Sequence, residues 1–138
     1  MGDKEKYMEV PLVRSIEVIN QIENGSYKNF EKIIYNDLNN YHKTKKFYAY
    51  KVKDDTMAPK IFKNDIIIFE KTDSFSNYDI CVVKIANEEF IVRRISTIHG
   101  LVLLEALNRE YNTTMYKEED LNETVKIIGK VVTLIRNI

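Results

Sequence analysis

From residue 47 onward the chain is a succession of short apolar runs, each of strand length and each closed by turn-forming residues. No other feature constrains the fold as strongly. Phe47-Tyr48-Ala49-Tyr50-Lys51-Val52 is the first run, and 65–69, 79–85, 89–95, 101–106 and 126–135 follow. The separators are Asn64-Asp65, Ala86-Asn87-Glu88 and His99-Gly100, residue types that tolerate turn backbones. None of these runs keeps a 3.6-residue period over the length of a helix. Short β-rich runs divided by turns specify a mainly β domain, a barrel or sandwich. Gly129 inside the last run marks a bulge or a close backbone approach.

The first 45 residues read differently, as an N-terminal arm ahead of a β domain over 46–138. Residues 1–8 are charged, and termini of that kind are loose. Val10-Pro11-Leu12-Val13 and Ile16-Glu17-Val18-Ile19 read as a short alternating extended segment, which Pro11 confines to an edge or arm. Asn24-Gly25-Ser26 is a turn signal. Phe30, Ile33, Ile34, Leu38 and Tyr41 follow helical spacing in an Asn- and Tyr-rich stretch without a strong cap. One helix or an extended wrap both satisfy that stretch. At 138 residues, without repeat or linker, the chain is long enough for one genuine core.

Charge and cysteine usage narrow the function. Lys plus Arg and Asp plus Glu are both 21, so no global basic field draws phosphate backbones to this segment. The single Cys81 forms no internal disulfide, and its apolar run makes it a buried small hydrophobe. No apolar stretch reaches the roughly 18 residues of a spanning helix, and the charged N-terminus lacks a signal-peptide core. A cytoplasmic protein is expected. His42 and His99 lie far apart and outside any spaced His/Cys cluster, so no metal or other cofactor is expected. There is neither a phosphate-binding Gly loop nor a G-x-S-x-G elbow.

Between the first two runs lies Lys53-Asp54-Asp55-Thr56-Met57-Ala58-Pro59, a polar turn that displays a hydroxyl at a strand end. In isolation such a Thr is a turn residue bonded to backbone. Its neighbours say more. Asp54-Asp55-Thr56-Met57-Ala58-Pro59 and then Asn64-Asp65-Ile66-Ile67-Ile68-Phe69 resemble the Gly-Asp-Ser-Met-x-Pro block and following Gly-Asp strand of LexA-like repressors and UmuD proteins. Tyr78-Asp79-Ile80-Cys81-Val82-Val83 with Val92-Arg93-Arg94-Ile95 resembles that family's second block, Gly-Asp-Ile-Val and Val-Lys-Arg-Leu. Leu103 to Asn108 with Tyr111, and Ile128-Gly129-Lys130-Val131-Val132, continue the likeness in order. The family is that of the S24 self-cleaving Ser-Lys peptidases of phage-type and SOS-response repressors. The resemblance implies a LexA C-terminal-domain-like (signal-peptidase-like) β-barrel or sandwich, with an extended N-terminal arm or short helix.

The departures from that pattern shape the expected function. The family nucleophile, Ser, corresponds to Thr56, and the family base, Lys, corresponds to Arg93. A desolvated ammonium can lose its proton near neutral pH and then take one from a hydroxyl. A guanidinium, with a pKa above roughly 12, cannot. Self-cleaving members also carry an Ala-Gly or Cys-Gly bond ahead of the nucleophile, and residues 11–19 contain neither pair. The expectation is a non-cleaving, pseudoenzyme-type regulatory domain of a transcriptional repressor. In it Arg93 binds Thr56, or pairs with Asp54 or Asp55, and holds the cleft shut. The alternative is an S24-type autopeptidase with a Thr-based site that uses Lys53 or Lys84 as base; a UmuD-type polymerase accessory role is remoter. Family likeness also implies dimerisation through the C-terminal strand 126–135, as a homodimer or a heterodimer with a related repressor. No helix-turn-helix is evident, so no direct DNA binding is expected of this segment.

Overall fold

The computed structural model describes residues 8–35, 45–86 and 90–136. Among the described residues nine strands and one α-helix run in the order β1 (Met8–Pro11), α1 (Ile16–Glu23), β2 (Lys32–Tyr35), β3 (Phe47–Lys51), β4 (Ile66–Lys71), β5 (Asp79–Ile85), β6 (Phe90–Ile98), β7 (Leu101–Glu105), β8 (Thr114–Lys117) and β9 (Val125–Ile135). A short 3-10 turn, Glu118–Asp120, precedes β9. β3 to β9 form one antiparallel sheet in the order β3-β4-β9-β5-β6-β7-β8, and β1 pairs with β2 as a separate ribbon. The mainly β, antiparallel architecture is the one the apolar runs specify.

Alternation along each strand sends neighbouring side chains to opposite faces. On β4, Ile67 and Phe69 enter one core cluster while Ile68 enters another; on β5, Val82 parts from Cys81 and Val83 in the same way. The first cluster joins Tyr48, Tyr50, Val52, Phe69, Phe90 and Val92 to Val13 and Ile19 of the N-terminal segment. The third packs Val10 of the ribbon against Phe47, Ala49 and Ile68. Residues 8–35 therefore share cores with the sheet.

At two elements the structure differs from the sequence reading. Ile16–Glu23 is helical rather than extended. Ser15 accepts a hydrogen bond from Val18 N at 3.3 Å, Glu17 lies in the first turn, and Ile16, Ile19 and Ile22 fall on one face. An N-cap and an i, i+3 stripe outweigh the apparent alternation. Within the stretch left open between helix and wrap, Lys32–Tyr35 is a strand, and positions 36–44 lie outside the described residues. The hairpin turn expected at 86–88 also falls largely outside them. β8 was not expected; it is four residues long, mostly exposed and without apolar alternation.

The last strand is not simply an edge. Its first half pairs with β5, from Ile85↔Val125 to Cys81↔Lys130, and its second half with β4, from Lys71↔Gly129 to Ile66↔Ile135. The register shifts once against each neighbour, which marks bulges on β9 near Ile128 and Val132. Gly129 sits where the two pairings overlap. A Cβ there would strike the Glu70 carbonyl oxygen and the Phe69 ring, so this is the close approach its position suggested.

Candidate active site

The loop after β3 is built from its own aspartates. Asp54 Oδ1 accepts from Thr56 N at 3.1 Å, an Asx turn that tightens the chain as it leaves the strand. Asp55 Oδ1 accepts from Lys63 N at 2.9 Å, which ties the loop to its own far end. Ala58 N reaches Asp55 O at 3.1 Å, and the Ala58–Pro59 peptide is cis. From the other side Asn108 clamps the loop: its backbone N donates to Thr56 O at 2.9 Å and its Nδ2 to Asp55 O at 2.9 Å. Met57, fully buried, anchors the turn in the first core cluster.

Thr56 is only 4% exposed, and its hydroxyl is held from two sides. Oγ1 donates to Asp54 Oδ1 at 2.7 Å and accepts from Arg93 Nη1 at 2.8 Å. The same Nη1 donates to Val92 O at 2.7 Å, so the guanidinium folds back along its own strand. Thr56 and Arg93, far apart in sequence, are thus in direct contact. Burial pulls the Arg93 pKa below its ordinary value, while the Asp54 carboxylate and the Tyr111 and Tyr50 hydroxyls oppose that shift. Even so displaced, a guanidinium remains protonated in a protein and acts only as a donor.

The surroundings are mostly apolar. Tyr50, Val52, Phe90, Ile91 and Val92 line a groove of about 260 Å3 beside the loop, with Lys53 and Asp54 at its polar end. Tyr50 OH donates to Phe90 O at 2.8 Å, and burial, helped by the Asp54 charge and opposed by Arg93, pushes its phenol up to about 12. Lys84, the other candidate base, sits on β5 opposite Phe90. Among the described residues no group of His, Cys, Asp and Glu is arranged to hold a metal ion.

The Thr56–Arg93 contact was legible from the motif pattern. The roles of Asp54, which accepts a hydrogen bond from the Thr56 hydroxyl, and of Asn108 as loop clamp were not, although Asn108 ends a block that resembles the family. Residues 11–132 match the family model described as peptidase S24-like. The chain belongs to the peptidase S24-like family. It is 35% identical over 91 residues to a LexA repressor of Cereibacter sphaeroides, which covers 65% of this chain and 38% of that protein. A LexA repressor of Ruegeria sp. is 32% identical over 90 residues, 64% of this chain and 36% of that one. A third, from Pelagibacter ubique, is 31% identical over 99 residues, 71% of this chain and 42% of that protein. The chain thus spans about two-fifths of the length of these relatives.

Proposed function

We propose that this S24-like domain is a non-cleaving regulatory module that works through protein–protein contacts within a LexA-type repressor system of the cytoplasm. The observation that carries this reading is the hydrogen bond from Arg93 Nη1 to Thr56 Oγ1. Where a Ser-Lys site needs a group that takes the hydroxyl proton, this site holds one that only gives a hydrogen bond. The substrate side supports the same reading. The segment ahead of the loop lacks Ala-Gly and Cys-Gly pairs, and between β1 and β2 it is folded as α1, with Ile19 fully buried in the core. A scissile bond must be extended and accessible to enter a cleft. A docked helix is neither.

With cleavage absent, association remains. The second half of β9 has β4 on one side, and its pairing with β5 ends at Lys130. Residues 131–135 therefore offer a strand edge for a second copy or a related repressor. The competing reading, a Thr-based autopeptidase, draws on one observation: Thr56 Oγ1 already donates to Asp54 Oδ1 at 2.7 Å. A carboxylate is a far weaker base than a neutral amine towards an alcohol, and the hydrogen bond from Arg93 occupies a lone pair that Thr56 Oγ1 would need for attack.

Intact mass after prolonged incubation at neutral and alkaline pH, alongside Thr56→Ala, decides between the two. The full-length mass alone is expected for both proteins. Fragments from the wild type that are absent from Thr56→Ala would establish the peptidase.

A further inference from the structure

Away from Thr56, at the C-terminal end of β9, lies a groove of about 680 Å3 lined by Ile66, Ile135 and Phe62 between the cations Lys51, Lys63 and Arg136. One carboxylate, Asp65, lies among them, so three positive charges against one negative leave an excess of two. In a chain whose formal charges cancel, this is a concentrated cationic site. Asp65 is 3% exposed and fully engaged: Oδ1 accepts from Arg136 Nε at 2.8 Å, and Oδ2 accepts from Arg136 Nη2 at 2.6 Å and from Phe62 N at 2.8 Å. The guanidinium carbon also lies 5.0 Å from the Phe62 ring centroid.

The buried carboxylate and the ring fix one edge of the guanidinium, Nη2 also donates to Lys60 O at 3.4 Å, and Nη1 is left for a ligand. Among the described residues Nη1 of Arg136 donates to no acceptor, and neither Lys51 nor Lys63 forms an ion pair. An arginine held in this way is preorganised for a carboxylate, because little rotamer freedom is lost on binding. The isoleucines between the cations match apolar side chains, and Phe62, 40% exposed, adds aromatic surface.

We infer that this groove docks an acidic peptide segment of a partner protein, one in which carboxylates alternate with apolar side chains. An extended peptide of that pattern puts its carboxylates on one side and its apolar groups on the other. The groove offers both kinds of surface. A single-stranded nucleic acid would call for a longer run of cations and free aromatic faces for stacking. Here one ring is present, and Arg136 lies over it. The inference goes beyond the proposed regulatory role and does not depend on whether Thr56 reacts.

Fluorescence anisotropy with the full chain tests it. The probes are a fluorescein-labelled peptide of alternating Leu and Glu, its Leu/Gln counterpart, and labelled oligothymidylate. The Leu/Glu peptide is expected to bind most tightly, with affinity falling about tenfold or more in a Lys51→Glu/Lys63→Glu variant and unchanged in Thr56→Ala. Both lysines are exposed, so this variant keeps the fold, whereas Arg136→Gln would also strip Asp65 of its partner. Equal binding of the Leu/Gln peptide, tighter binding of oligothymidylate, or full retention in the charge-reversed variant would overturn the inference. So would self-association of the peptide-free chain that the charge reversal abolishes, because the groove would then be an interface between copies.

Discussion

Arg93 ties the loop after β3 to β6. Its guanidinium gives two hydrogen bonds inside a half-buried pocket, to Thr56 Oγ1 and to Val92 O. Truncation to Ala removes both and leaves a buried hydroxyl with one partner fewer. We expect Arg93→Ala to lower unfolding free energy by about 1–3 kcal/mol, read from urea denaturation. Unchanged stability would mean that Arg93 does not hold the loop. Asp65 makes a second prediction. The hydrogen bonds from Arg136, with the Phe62 N–H and the Arg136 charge, outweigh burial and hold its carboxyl below the ordinary value. A folded-state pKa below the unfolded one stabilises the fold above the unfolded pKa, about 3.9 for Asp, and that stabilisation disappears as pH falls through the folded value. The stability gap between wild type and Asp65→Asn should therefore be full at neutral pH and close in acid below about pH 4. A gap independent of pH would exclude the linkage.

Among the elements, α1 does most to make the N-terminal segment part of the body. Ile19 fills the core, and at the C-terminal end Glu23 accepts from Tyr48 OH at 2.6 Å and from Lys71 Nζ at 2.9 Å, with Lys46 Nζ at 3.8 Å. Burial raises the Glu23 pKa, but these bonds and charges outweigh it and leave it below the ordinary value. Ile19→Ala should cost about 2–5 kcal/mol and speed proteolysis within residues 8–35. Proteolysis at the wild-type rate would indicate that the helix is not fixed by its core contact. In the sequence, Ser15 and the spacing of Ile16, Ile19 and Ile22 were already visible. Eight residues give little more than two turns, and Val18 completes an alternation that imitates a strand. β8 had less signal still. Its exposed side chains follow solvent, and its partner is set by the register of Leu101–Glu105.

At the scale of the whole molecule, the place of β9 bears on the proposed contact between copies. A strand that lay at the edge throughout would expose eleven residues, whereas this one has pairing on both sides over part of its length. What is left for a partner is the edge of residues 131–135. Sedimentation equilibrium at micromolar concentration is expected to give a dimer; a monomer would remove this edge from the proposal.

By itself the sequence determined the β character of residues 47–135, because period-two alternation and turn residues are local properties of the chain. It also determined the chemistry available at positions 56 and 93, since a guanidinium keeps its proton in either state of the chain. Tertiary structure decided the rest. Asn108 became the clamp of the loop only when the sheet brought residue 108 beside residues 55 and 56. β9 became internal because two strands from different parts of the chain claimed its opposite edges. Asp65, one of many acidic residues in the sequence, became the fixed point of a cationic groove because β9 ends beside the start of β4, within reach of Arg136. Contacts between distant residues depend on register and curvature, which no local pattern encodes.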